Sequence, residues 1–381
     1  MGTTSFSATI ARQGKLLTAI FWLLSTIIYF TIHGVVTSLE AAKYIEEARR
    51  YIDTGSFSAP RFYFYCVTIF IMVFAIKIKA GMLGAFLIQA LLNFLAYLLF
   101  YKAMTKVFHS PFTPLVIIIY LLAFSPYQSW VVFLYTESVF FSAILILISV
   151  LVLYPPANWK NILLLVLSLL FTIVSRPLGI LFGMGVFLYF FYYAGKKWKL
   201  ILTGSSVIFL VLGYYSVNTV FESIKDWSIT QGFEQESIIC DMPAPQPYHK
   251  LELATEGSPV FHLWYYVSHN FSHFIHFAGV KLQYFFLMTR NYYSRGHNVF
   301  LLLNSIILYS LAIAGFFINK RYFSKGLMIF IMSSLLMYTL TIIFQCDDYQ
   351  NRFILSVFPL FVILAARTTE HLLLNAFKNH K

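Results

Sequence analysis

The chain has 381 residues, of which 59% are hydrophobic, 19% aromatic and 11% charged, with a formal net charge of +12. Apolar runs near the ~20 residues that cross a bilayer as a helix recur along it, which marks a polytopic membrane protein and excludes a soluble globular one. The basic residues are scattered through short loops, without the single arm or face that nucleic-acid binding needs, and act as topology signals.

Backbone polar groups inside lipid must be bonded within their own segment. The runs are too long and too uniformly apolar for the alternating strands of a barrel. The expected fold is therefore all-α, a bundle of about 10–11 transmembrane helices. In chain order the spans are expected at 16–36, 62–79, 82–101, 112–131, 138–154, 161–175, 178–194, 200–217, 298–318, 326–345 and 353–370. The first follows Arg12 and Lys15, has no small-residue cleavage site and exceeds a signal-peptide core, so it is expected to remain uncleaved. Residues 1–381 are expected to form one transmembrane domain, with a first outer loop at 37–61 and a long outer loop or lid at 218–297.

The bias of Lys and Arg sets orientation. It places Arg12 and Lys15, then Lys196, Lys197 and Lys199, then Lys320, Arg321 and Lys325, and finally Lys378 and Lys381 in the cytoplasm. Counts from the two ends disagree by one crossing between 62 and 131, where Lys77, Lys79, Lys102 and Lys106 cannot all be cytoplasmic. One run there is expected to be short, re-entrant or fused to its neighbour. In this topology Glu40, Glu46, Glu47 and Asp53, then Glu137, then the acids from Glu222 to Glu256, then Asp347 and Asp348 all lie outside. Only Glu370 stays inside. Cys240 and Cys346 also lie outside, where a disulfide can persist; a bridge and two free thiols are both open. No CxxC or His/Cys metal spacing occurs.

The first outer loop, "LEAAKYIEEARRYIDTG", fits an amphipathic interface helix over 39–53. Ala41, Ile45, Ala48 and Ile52 form its apolar face, with Glu40, Lys43, Glu47 and Arg50 opposite. Gly55 ends it, and Pro60 with Arg61 leads back into lipid. "LYTESVFF" puts Glu137 at the start of an apolar run, where a carboxylate is costly unless it faces a polar cavity or a partner. A capping role in the first turn, with Thr136, is the competing explanation. "SRPLGILF" sets Arg176 at a span end and Pro177 in the opening turn of the next. "QCDDYQNRFILSVFPLFVILAA" places Asp347, Asp348 and Arg352 before the last span, and "MTRNYYSRGHN" places Arg290, Arg295, His297 and Asn298 before another. A guanidinium can grip phosphate through two parallel bonds; at a span end it also simply snorkels to headgroups.

His262, His269, His273 and His276 partly follow helical spacing in "HLWYYVSHNFSHFIHF". An aromatic interfacial helix facing headgroups accounts for them better than a metal site, because no acid or cysteine completes a ligand set.

In order and sidedness these motifs resemble the GT-C superfamily of lipid-linked glycosyltransferases, which includes the dolichyl-phosphate-mannose mannosyltransferases and the bacterial aminoarabinose transferase. The family's catalytic acid follows its first span, often as an Asp-Glu pair leading into a helix of the type "xYxxxAxxxxxxG". Here Glu40, Tyr44, Ala48 and Gly55 match in order, and Leu39 stands in place of the aspartate. "LYTESVFF" is similar to a middle-span acid of the GPI-type mannosyltransferases, and "SRPLGILF" to an Arg-Pro-Gly turn. "NRFILSVFPLFVILAA" is similar to the closing Arg-aromatic span, whose arginine contacts the donor phosphate.

The resemblance implies transfer of a sugar from a polyprenyl-phosphate donor to a glycan, lipid or protein acceptor. The reaction would be an inverting single displacement at the outer face of the cytoplasmic membrane. It makes Glu40 the base, with Glu137 and Glu47 as supporting acids. Arg352, then Arg176 and Arg290, would bind the donor phosphate. Tyr44, Arg61, Asp347, Asp348, Arg295 and His297 would be further donor or acceptor contacts. No cofactor, metal or nucleic acid is expected, and Asp347 with Asp348 does not complete a coordination shell. The rival is a transporter or flippase of a lipid-linked saccharide. Such proteins usually show internal repeats and mid-membrane charges, neither of which the sequence displays.

Overall fold

The computed structural model describes residues 2–223, 228–240, 242, 250–318 and 324–379. Asp226, Asp241, Lys320, Arg321, Lys381 and the proline-rich stretch 243–249 lie outside the described residues. The chain is an all-α, multi-pass membrane protein; among the described residues the only β pairing is three isolated bridges. Its helices are α1 (Gly2–His33), α2 (Glu40–Thr54), α3 (Cys66–Lys77), α4 (Gly81–Val107), α5 (Phe112–Ala123), α6 (Ser125–Gln128), α7 (Thr136–Leu153) and α8 (Trp159–Ser175). They continue with α9 (Leu181–Tyr193), α10 (Lys196–Ser223), α11 (Gln231–Glu234), α12 (Pro259–His269), α13 (Phe271–Leu287), α14 (Arg295–Phe317), α15 (Lys325–Phe344) and α16 (Arg352–Asn379).

Each of the eleven expected runs is helical, but they differ in kind. Among the described residues, eight helices are long and apolar enough to cross a membrane, and α5 with the segment Ser125–Val132 forms a ninth, bent by 74°. Trp159–Ser175 and Pro177–Tyr193 are shorter apolar helices. The bend lies inside 62–131, where the charge pattern required an irregular crossing. It is made by Phe124, in extended backbone, and by Pro126, which suits the opening turn of the next short helix.

The chain divides into two compact units. The first comprises Met1–Val186, Ile307–Ser334 and Leu355–Lys381. α7 is almost entirely buried in it, and its Ser138, Ser142, Ala143 and Ser149 let neighbouring backbones approach closely. Ala85, Ala90, Ala96 and Ala103 do the same on α4. Without a hydrophobic drive between helices in lipid, hydrogen bonds between side chains hold these elements in register. Trp22 Nε1 donates to Asn93 Oδ1 at 2.8 Å, Asn93 to Ser142 Oγ at 3.0 Å, and Tyr97 to Gln128 Oε1 at 2.9 Å. Gly315 is required where α14 crosses α16, because a methyl there would collide with the Leu364 carbonyl. Leu83, Leu87, Leu91 and Leu95 form an exposed stripe on α4, as expected of a lipid-facing surface.

The second unit comprises Phe187–Ile306 and Leu335–Ile354. Its core is Phe233, Tyr266, Phe274 and Phe277, packed against Ile238, Leu251, Leu263, Val267 and Ile343. Cys240 and Cys346 are joined by a disulfide with Cα atoms 5.0 Å apart, which settles the alternative of free thiols. Beside it Asp347 N–H donates to the Ile238 carbonyl at 2.8 Å and Cys240 N–H to the Asp347 carbonyl at 3.0 Å. The segment expected as an outer loop or lid thus contains α11, α12 and α13, covalently tied to the chain after α15.

Candidate functional site

In the first unit, the chain after α1 is sewn to the chain before α7. Val36 N–H donates to the Val132 carbonyl at 3.0 Å, Leu134 N–H to the Val36 carbonyl at 3.1 Å, and Tyr135 hydroxyl to the Ser38 carbonyl at 3.3 Å. These bonds carry Glu40, the first residue of α2, to the end of the bundle where α7 begins with Thr136 and Glu137. Arg176 follows α8, which packs on α7. The turn 60–65 brings Tyr65 alongside, its ring 5.6 Å from that of Tyr44.

Four groups expected at a site therefore converge: Glu40, Tyr44, Glu137 and Arg176 all act electrostatically on one another or on Tyr65, as does Arg61. Glu40 accepts from Tyr44 hydroxyl at 2.9 Å and from Lys43 Nζ at 3.0 Å, and its side chain stays 22% exposed. Tyr44 is fully buried; burial, then the charges of Glu40 and Glu137, raises its phenol well above the ordinary value, so it remains a proton donor. Glu137 has no exposed surface and is paired with Arg176 Nη1. Glu137 is thus a buried ion-pair partner, and the N-cap residue Tyr135 makes no side-chain cap bond of its own. Its place in the first turn of α7 adds the favourable field of the helix N-terminus. Arg61 is exposed, its guanidinium over the Phe62 ring.

Two expectations for α2 need correction. Glu47 does not share a solvated face with Glu40: it is buried and accepts from Ser58 N–H at 3.0 Å and from Ser58 hydroxyl. The packed stripe is Ala41, Tyr44, Glu47 and Ala48, rotated from the expected Ile45 and Ile52, which are only half-buried. Apolar spacing does not reveal this, because a serine eleven residues on makes Glu47 burial tolerable. Gly55 ends the helix as expected, with φ 72°.

The second unit gathers the other charged residues. Arg290 is buried, donating to Asp347 Oδ2 at 2.6 Å and to the carbonyls of Tyr284 and Thr289 at 2.9 and 3.1 Å. Those bonds give it the part of a brace between α13 and the disulfide-tied segment at Asp347. Burial raises the Asp347 carboxyl to about 6, with the Arg290 charge opposing. Arg352 opens α16 with Nε 3.1 Å from Asp348 Oδ1. Arg295 and His297 are exposed in the first turn of α14, and the His297 ring meets the Tyr293 edge at 4.7 Å.

Lys281 had no signal in the sequence, and His273, expected on a face turned to headgroups with no acid beside it, is instead bonded within its unit. Lys281 is buried in α13 with Nζ 4.3 and 4.5 Å from the Phe233 and Phe277 ring centres. His273 bridges Tyr266 hydroxyl at 2.6 Å and Glu236 at 3.0 Å. Among the described residues, no three His, Cys, Asp or Glu side chains converge to hold a metal ion. No protein-family model, no curated protein and no solved structure matches the chain.

Proposed function

We propose that the protein is a GT-C-type membrane glycosyltransferase that moves a sugar from a polyprenyl-phosphate donor to an acceptor hydroxyl on a glycan, lipid or protein. The donor's prenyl tail would stay in the bilayer while its phosphate and sugar reach the extracytoplasmic end of the helices. The observation that supports this best is Glu40, partly exposed and held by Tyr44 beside the buried Glu137–Arg176 pair. As the acceptor oxygen attacks the anomeric carbon, its proton passes to the Glu40 carboxylate. The bond from that carbon to the phosphate oxygen breaks with its electron pair, leaving polyprenyl phosphate and inverted configuration. Arg61, exposed in the same unit as Glu40, is assigned to the phosphate, whose growing charge a preplaced guanidinium stabilises most in the transition state. Arg176 is committed to Glu137 and holds that acid under the site. Arg290, held by Asp347 and by backbone carbonyls, serves as a brace.

With purified protein and a labelled polyprenyl-phosphate sugar, Glu40→Gln is expected to lower transfer by about 10²–10⁴-fold, the usual weight of a general base. Glu46→Gln, on the exposed side of α2, should leave it unchanged. Wild-type transfer by Glu40→Gln would overturn the assignment. The 74° break between α5 and α6 favours the rival, transport of a lipid-linked saccharide, because broken helices often line transport sites. Saccharide flux across proteoliposomes without sugar transfer would select it.

A further inference from the structure

The pair α12–α13 has two unlike faces. One buries Tyr266, Phe274, Phe277 and Lys281 in the core of its unit. The other leaves Phe261, Trp264, Phe271 and Ile275 with 42–61% of their surface exposed. The helices have 11 and 17 residues, and at 1.5 Å per residue neither reaches across a ~30 Å hydrocarbon layer.

The pair is nevertheless tethered at both ends to helices long and apolar enough to cross. Val260 N–H donates to Asn218 Oδ1 at 3.0 Å, near the end of α10, whose Lys196–Tyr215 portion is a candidate span. α14, another span, begins at Arg295, eight residues beyond Leu287. The break at Asn270 is fixed as well: its side chain accepts from Glu252 N–H at 2.8 Å and donates to the Glu252 carbonyl at 2.7 Å. The exposed rings are accompanied by His269 and His276, and no acidic residue occurs between Gly257 and Cys346. A helix facing bulk water would carry charges on that side. Tryptophan, phenylalanine and histidine without carboxylates suit the boundary of headgroups and acyl chains.

We infer that the face of α12–α13 formed by Phe261, Trp264, Phe271 and Ile275 is seated in the headgroup boundary of the bilayer, as an in-plane element between two spans. The occupant of this face is lipid, and the inference stands whether or not the protein transfers a sugar. Its consequence is positional: the Phe233 core and the disulfide are held at the membrane surface.

The test places a nitroxide, in a Cys66→Ser background, at residue 264, 271 or 275, with Thr255 as an exposed control, in nanodiscs of zwitterionic lipid. Collision with oxygen, relative to a water-soluble nickel chelate, should be at least several-fold higher at the three face positions than at 255. Equal ratios would place the face in water and overturn the inference. Exclusion of both reagents, with spin–spin broadening, would overturn it in favour of a second copy. If a labelled variant does not fold, native Trp264 serves instead. The emission difference between wild type and Trp264→Phe should fall by half or more in brominated lipid; no fall would overturn the inference.

Discussion

Glu137 and Arg176 show how much a single buried pair can decide. Both are withdrawn from solvent, and an ion pair of this kind stabilises little relative to apolar packing, yet loss of one partner strands the other charge. Glu137→Gln alone should cost about 3–5 kcal/mol in unfolding free energy, and Arg176→Gln a similar amount. The double variant should cost clearly less than the sum; strict additivity in a double-mutant cycle would mean the two are not coupled. The sequence pointed to both residues, Glu137 because a carboxylate at the start of an apolar run is costly without a partner and Arg176 because it precedes the Pro-Gly turn. It could not pair them, since they are 39 positions apart and meet only through the packing of α8 on α7. Glu47 and Lys281 were less legible still. Their burial depends on Ser58 in one case and two phenylalanine rings in the other, neither of which imposes a periodicity.

The helices themselves were largely readable as elements, because uninterrupted apolar length is a direct physical requirement of the bilayer. The irregular crossing within 62–131 was legible from the charge count, but its position at Phe124 was not, nor was the clamp of Val36 onto Val132 that sets where α2 starts. Leu39, just before that helix, has φ 55° and ψ −120°, a region that favours glycine, and is 82% exposed. Ala41 N–H donates to the Ser38 carbonyl across it at 3.2 Å, closing a tight turn. A side chain so placed gains almost no burial, while the backbone strain costs on the order of 1–3 kcal/mol. Leu39→Gly should therefore raise stability by about 1 kcal/mol after the entropic cost of glycine, measured by thermal unfolding in detergent. A loss would show that the leucine side chain contributes a contact of its own, most simply with lipid. Because α2 carries Glu40, the same variant asks whether the strained turn also aims the carboxylate: the proposed sugar transfer falling while stability rises would establish that it does.

Across the whole molecule, composition was enough to predict a multi-pass α-helical protein, and two cysteines on the same expected side of the membrane were enough to raise a disulfide. Their closure depends on the backbone pairing of Ile238 and Cys240 with Asp347, which no sequence pattern announces. That pairing also creates opposed titrations within one unit. Asp347, raised to about 6 by burial against an ordinary 3.8, keeps a proton the unfolded chain has lost, so its contribution to stability declines as pH rises from about 4 to 6. Lys281, lowered to about 7 by burial from 10.5, lacks a proton the unfolded chain still binds, so its contribution grows as pH rises from 7 to about 10.5. Each pH unit inside either window is worth up to ~1.4 kcal/mol. Stability of this unit should consequently pass through a minimum between pH 6 and 7, measured by denaturant unfolding in detergent across pH 4 to 10. Lys281→Met should abolish the rising limb and Asp347→Asn the falling one. A profile that peaks near neutrality, or a rising limb that survives in Lys281→Met, would mean that water or a neighbouring acceptor keeps the ammonium charged inside the Phe233 and Phe277 cage.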